Sequence, residues 1–267
     1  MLRTALFLTA FMAPALLVAP ARAEGDPAQA AAAQRYADCV AAVEADPEQA
    51  VALASQWRDV GGGIPAKHCL GLALFEAGKA KNAAVAFAQA ASDLESGKSQ
   101  LLGGPIRYTP ETAAALHGQA GNASLVAGDP ASAYQHFSRA LKLAKSLSAP
   151  QRGNLRIDRA RALAAMSDYK LAKADLDKAI NDLPNSADAW LLRAAAHRHL
   201  GQASAAKTDV EKAIQLAPQE PEALLERATQ AARAGDITTA EADWRTIMAI
   251  APNSPAAEIA RVNLGLE

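Results

Sequence analysis

Five histidines, two cysteines and scattered carboxylates are the side chains of this 267-residue sequence that could carry chemistry. The tightest histidine cluster is His197-Arg198-His199. Side chains two apart on a helix point about 200° from each other, so this pair cannot chelate one metal ion. The H-x-x-x-H spacing that could do so is absent, and His197 reads instead as a packing residue between helices. Gly97-Lys98-Ser99 has the ending of a phosphate-binding loop, but Ser92 stands where the motif needs its first glycine, and no strand pattern leads into it. There is no G-x-S-x-G elbow for a nucleophilic serine. Gly61-Gly62-Gly63 and Gly103-Gly104 lack a following lysine and read as turns. Carboxylates alternate with lysines, as in Lys170, Lys173, Asp175, Asp177 and Lys178, the pattern of a solvated outer helix face. Cys39 and Cys69 form no C-x-x-C redox motif. These residues point to no catalytic activity, no metal and no cofactor.

The elements that position them follow from composition. Alanine accounts for 69 of the 267 residues, while Phe, Trp and Tyr together number 12. Alanine has the best helix propensity and lets helices approach closely, so the chain is expected to be all-α with thin, repeated interfaces. Long β-branched runs are missing, which argues against a sandwich or barrel. Lys and Arg number 27 against 28 Asp and Glu, a balance that gives no general attraction to nucleic acid or to an anionic membrane.

Residues 1–23 read as a cleaved secretory leader. Arg3 supplies a positive start, residues 5–18 are apolar except for Thr9 and Pro14, and Ala21-Arg22-Ala23 is a small-x-small cleavage signature. No cysteine sits near that point to take a lipid, and no later segment approaches the ~18 apolar residues of a membrane span. Cleavage would remove Arg3 and Arg22, leaving 25 basic and 28 acidic residues, a net of −3. The expectation is an exported chain, periplasmic or secreted, without stable membrane insertion once the leader is gone.

A repeat organises the remainder. Pro184, Pro218 and Pro252 are spaced by 34 and 34 residues, and each is followed by a polar or proline-led helix start. Midway through each unit comes a breaker, Gly201 in one and Gly235-Asp236 in the next. Each unit therefore reads as helix, turn, helix.

With these features the sequence resembles the tetratricopeptide-repeat (TPR) family, whose 34-residue unit favours Trp at position 4, Leu-Gly at 7–8, Tyr at 11, Gly at 15, Ala at 20, Phe at 24, Ala at 27 and Pro at 32. Residues 187–220 match through Trp190, Ala194, Gly201, Ala206, Ala213 and Pro218, and residues 221–254 through Leu224, Ala228, Gly235, Ala240, Trp244 and Pro252. Residues 153–186 match through Ala160, Leu163, Ala172, Leu176, Ala179 and Pro184. Residues 114–147 carry Gly121, Gly128, Ala133, Phe137 and Ala140, and residues 64–97 carry Leu70-Gly71, Leu74, Gly78, Ala83, Phe87 and Ala90. Residues 24–63 read as N-terminal helices with a degenerate repeat that turns at Asp46-Pro47. Residues 98–113 read as an insertion, 114–152 as a unit with an extended second helix, and 255–267 as a capping helix.

The resemblance implies a right-handed α-solenoid of stacked helix-turn-helix repeats, with Phe87, Phe137, Leu176 and Trp244 filling the gaps between units. Bulky substitutions at Gly201 or Ala206 are expected to overpack the stack. In that register Cys39 and Cys69 both take position 6 of adjacent first helices, which brings them close enough for a disulfide in an oxidising compartment. Two buried free thiols are the alternative. In the family the ligand face is lined by positions 2, 5, 9, 12 and 13 of the first helices, here including His68, Asn122, Asn154, Arg161, Arg198, His199, Thr229 and Arg233. The three arginines could bond acidic side chains of a ligand or be paired with their own neighbours. The family's carboxylate clamp is incomplete, because Gly118 and Leu191 stand where polar residues are expected. The function implied is a scaffold or adaptor that binds a protein or peptide segment in its groove and helps assemble a cell-envelope complex. A chaperone-like holder of unfolded chains and a non-catalytic regulatory subunit of an envelope enzyme are the alternatives.

Overall fold

A computed structural model describes residues 27–97, 109–143 and 147–266, so the leader expected at 1–23 and most of the 98–113 insertion lie outside the described residues. The described residues form thirteen α-helices and no strand. These are α1 (Pro27–Ala45), α2 (Pro47–Asp59), α3 (Gly63–Glu76), α4 (Ala80–Glu95), α5 (Pro110–Val126), α6 (Pro130–Leu143), α7 (Ala149–Ala165), α8 (Tyr169–Asp182), α9 (Ala187–His199), α10 (Ala203–Leu216), α11 (Pro221–Ala234), α12 (Ile237–Ile250) and α13 (Pro255–Asn263). Each helix packs on the next within two compact units, one holding α1–α6 and the other α7–α13. Each unit is an all-α solenoid of helix pairs.

Local chemistry sets the helix ends. Asp46, Thr109, Asp168, Ser186, Asp236 and Ser254 each accept a backbone N–H three residues ahead with a side-chain oxygen, satisfying a donor that the first helical turn leaves free. Pro47, Pro110 and Pro255 follow such positions, and Pro221 follows Glu220, which makes no side-chain cap bond; in the first turn a missing N–H costs nothing. Pro184, Pro218 and Pro252 lie in the exposed or half-exposed turns that follow α8, α10 and α12.

Two kinds of glycine do different work. Gly78, Gly128, Gly201 and Gly235 have φ between 73° and 82° and close the turn inside a helix pair. A Cβ at Gly201 would touch nothing within 4 Å, so the expected overpacking there is replaced by a backbone constraint: the left-handed conformation is what excludes other residues. Gly71 and Gly121 are the packing glycines. A Cβ on Gly71 would stand 2.5 Å from the Phe87 ring, and one on Gly121 would stand 2.6 Å from the Phe137 ring. Phe87 and Phe137 are buried, as are Leu176 and Trp244 in the same register of later units, where Ala160 and Ala228 take the glycine position.

The longer second helix expected within residues 114–152 would continue into residues 144–146, which lie outside the described residues. Helix α6 is described for 14 residues up to Leu143, and the first helices α5 and α7 have 17 each. Ala149 and Pro150 open α7. Proline is tolerated in the first turn of a helix, so Ala-Pro starts this one instead of ending its predecessor.

Candidate functional site

The open positions of the first helices are the candidate ligand face, and the structure places their side chains very differently from one another. In the α1–α6 unit, His68 is 2% exposed and lies inside the helix stack. The Tyr36 O–H donates to its Nδ1 at 2.7 Å, and its Nε2–H donates to Gln119 Oε1 at 3.0 Å, so one imidazole ties α1, α3 and α5 together. Burial pushes that imidazole down to about 4, against the pull of the Gln119 bond, and pushes the Tyr36 hydroxyl up to about 12. The neighbouring residue Cys69 is bonded to Cys39, with Cα atoms 6.3 Å apart, so a covalent link and a hydrogen-bonded link join α1 to α3 side by side. Asn122, half-buried on α5, has an Oδ1 atom shielded from solvent and without a hydrogen-bond donor.

In the α7–α13 unit the arginines singled out from the sequence are mostly neutralised from within. Arg161 donates to Asp158 at 2.5 Å and also to Asp188 of α9. Burial raises the Asp158 carboxyl to about 6, with Arg161 opposing and Asp188 adding to the rise. Arg198 forms a two-pronged bond to Glu226 of α11, 2.7 and 3.0 Å, and Gln230 donates to the same carboxylate at 3.0 Å. These two arginines are therefore first-helix-to-first-helix braces. Arg233 is exposed and makes no ion pair or hydrogen bond among the described residues. His199 is exposed, stacks on Tyr169 with centroids 4.0 Å apart, and is held below its ordinary value by partial burial and by the charges of Arg198 and Arg233. Thr229 turns inward and donates to Leu225 O of its own helix at 2.8 Å, and Asn154 is half-buried. Trp190 is half-buried, donating its indole N–H to Pro184 O at 2.9 Å beneath the Arg193 guanidinium. His197 is buried, as a packing residue should be, with Nδ1 2.5 Å from Gln202 Oε1.

Sequence reading missed the most regular polar feature of this unit. Arg159, Arg193 and Arg227 each grip an aspartate 16 residues ahead, Asp175, Asp209 and Asp243, through paired bonds of 2.7–2.9 Å. Arg193 also donates to Asp177 at 2.9 Å and Arg227 to Glu211 at 3.3 Å, reaching the second helix of the preceding pair. Asp175 is thus buried and paired, not part of a solvated face, and the same holds for Asp209 and Asp243. The signal was present in the sequence as an Arg and Asp series, each repeating every 34 residues. It occupies repeat position 7, where the resemblance suggests leucine.

Apart from the exposed His199, the groups that titrate near neutrality divide between the units and predict opposite responses to mild acid. His68, His117 and His136, all in the α1–α6 unit, have their imidazoles held below the ordinary value, chiefly by burial. Their contribution to stability is complete above about pH 6.5 and is lost as pH falls toward the folded values. His68 alone accounts for about 1 kcal/mol by pH 5.5. In the α7–α13 unit, Asp158 and Glu220 are raised, Glu220 first by its hydrogen bond with Glu222, so that unit gains stability as pH falls through the same window. Hydrogen exchange measured at pH 7.5 and 5.5, corrected for intrinsic rates, should show protection falling in α1–α6 and holding or rising in α7–α13. Parallel changes in both units would contradict this division.

No helix among the described residues is long and apolar enough to cross a membrane. Comparison with curated protein sequences finds no match. Residues 187–220 match the family model described as tetratricopeptide repeat. Among solved structures the fold is similar to that of PilF from Pseudomonas aeruginosa, with 16% identity, 86% of this chain and 96% of that one covered, and a TM-score of 0.61. It is also similar to MamA from Desulfovibrio magneticus RS-1, at 20% identity, 76% and 97% coverage and a TM-score of 0.54. YrrB, described as a TPR protein with an unusual peptide-binding site, aligns at 18% identity, 74% and 91% coverage and a TM-score of 0.51. Residues 187–220 thus match a tetratricopeptide repeat, and the helix pairs around them share the fold of solved TPR proteins.

Proposed function

We propose that this chain is a non-catalytic adaptor that holds an extended protein or peptide segment along its first helices and helps assemble a protein complex of the cell envelope. The observation that carries the reading is the Asn122 side chain. Its Oδ1 atom is shielded from water and lacks a donor, a state that costs about 1–3 kcal/mol and that the half-buried side chain would relieve by turning toward the ligand face to accept a backbone N–H. Asn122 stands at repeat position 9, one of the ligand-lining positions in the family, and YrrB shows that this fold is used for peptide binding. Arg233 and His199 are the charged and aromatic groups left open for a ligand in the second unit, whereas Arg161 and Arg198 are occupied by Asp158, Asp188 and Glu226. The Cys39–Cys69 disulfide and the absence of a spanning helix among the described residues are compatible with export, and residues 1–23 supply the leader for a periplasmic or secreted address.

The test is quantitative cross-linking and mass spectrometry of the native chain in its own envelope fraction, beside Asn122→Ala and Arg233→Glu variants. One partner at fixed stoichiometry, weakened about two- to tenfold by loss of the Asn122 hydrogen bond, is the expected result. Many weak clients would favour a holder of unfolded chains, and a partner indifferent to both variants would sink this ligand face. The same spectra report whether the mature chain begins at Glu24.

A further inference from the structure

The pair of helices α5 and α6 replaces the arginine–aspartate link of the later units with two imidazoles. His136 occupies the register held by Asp175, Asp209 and Asp243, while Ala120 stands where those units have arginine. Its partner is His117, and the two Nδ1 atoms face each other at 3.2 Å. Behind His117, Nε2 lies 2.7 Å from Glu95 Oε1 of α4, and Arg139 holds the same carboxylate. A carboxylate accepts only, so the His117 proton resides on Nε2, and its Nδ1 presents a bare lone pair toward His136. This is the arrangement that orients metal-ligating histidines: an outer carboxylate fixes the tautomer and ring plane and raises the basicity of the inner nitrogen. Two zinc–nitrogen bonds of about 2.0–2.1 Å meeting at a tetrahedral angle separate their nitrogens by about 3.3 Å. The observed spacing suits a shared ion as well as a shared proton. The His117 side chain is 12% exposed and His136 is half-buried, so an ion can reach the pair and retain water.

We propose that His117 and His136 form a two-histidine site for a borderline divalent cation such as Zn2+, which displaces the proton between the facing Nδ1 atoms. Among the described residues no third His, Cys, Asp or Glu joins them, so water fills the remaining positions. Asp129, which caps α6, adds a favourable charge near His136, and Glu95 offsets the charge of Arg139. Because the ion competes with a proton, affinity falls below neutral pH.

The experiment is titration of the untagged, disulfide-intact chain with ZnCl2, read by calorimetry and by metal content after gel filtration, with MgCl2 as control. One saturable equivalent of Zn2+ and none of Mg2+ is expected. Binding should be at least tenfold weaker in His136→Ala, about tenfold weaker in Glu95→Gln, and unchanged in His199→Ala. In the unaltered chain, Zn2+ should shield His136 but not His199 from diethyl pyrocarbonate, a readout that does not depend on a variant folding. Absence of saturable binding, or shielding of His199 in place of His136, would overturn the site.

Discussion

Replacing Arg193 with alanine is expected to destabilise the α7–α13 unit by about 3–5 kcal/mol. Arg193 is 17% exposed and bonds two carboxylates, Asp209 at 2.8 and 2.9 Å and Asp177 at 2.9 Å. Its removal strands Asp209, whose side chain is 5% exposed and whose remaining charged neighbour among the described residues is His197, with Nε2 at 3.5 Å. An isolated buried carboxylate is costly because the desolvation it underwent on folding is no longer balanced by a cation. Urea unfolding should show the loss, and hydrogen exchange should locate it in α9 and α10. Arg233→Ala, which removes an unpaired surface charge, should stay within about 0.5 kcal/mol. The double change Arg193→Met with Asp209→Leu should recover most of the stability, since an apolar pair of similar volume removes the stranded charge. A loss below about 1 kcal/mol for Arg193→Ala would mean that solvent screens the ladder as it does a surface pair.

Opening the Cys39–Cys69 disulfide is expected to cost about 3–4 kcal/mol, because the bond closes a loop across a sequence separation of 30 residues and so restricts the unfolded chain. The effect should be local. In a repeat protein each helix pair leans on its neighbours, and α1 and α2 have a neighbour on one side only among the described residues. Cys39→Ser with Cys69→Ser, compared with the oxidised chain, should lose exchange protection in α1 and α2 first, while α7–α13 remains unchanged. The Tyr36–His68 hydrogen bond and the buried Val43 still hold α1, so it should loosen without detaching fully. If α1 keeps its protection on reduction, those non-covalent contacts carry the N-terminal pair and the disulfide is redundant.

The sequence alone determined that the chain is all-helical and that it is built from repeated pairs. Both follow from one-dimensional order: alanine content sets the local preference, and prolines 34 residues apart with glycines midway set where helices stop. The proximity of Cys39 and Cys69 was legible for the same reason, since equal register on adjacent units fixes distance without knowledge of any side-chain direction. The resemblance marked Gly71, Gly121, Phe87 and Phe137 as repeat positions, but the rings expected in the gaps between units lie against the glycine of their own helix pair.

Tertiary structure decided the fate of the charged and polar side chains. Arg161 and Arg198 could from the sequence bond a ligand or their own neighbours, and acids 27 and 28 residues away on the next first helix close on them. Asp175 looked solvated beside its lysines, yet it faces Arg159 across the antiparallel pair and is buried. His68 occupied a ligand-facing position in the register, yet Tyr36 and Gln119 enclose it. Apolar periodicity says which face of a helix turns inward, but a long flexible arginine or a short aspartate lies at the edge of that face. Its burial depends on the opposite charge that the neighbouring helix brings within about 3 Å. That distance is a property of packed helices and is absent from the order of residues along the chain.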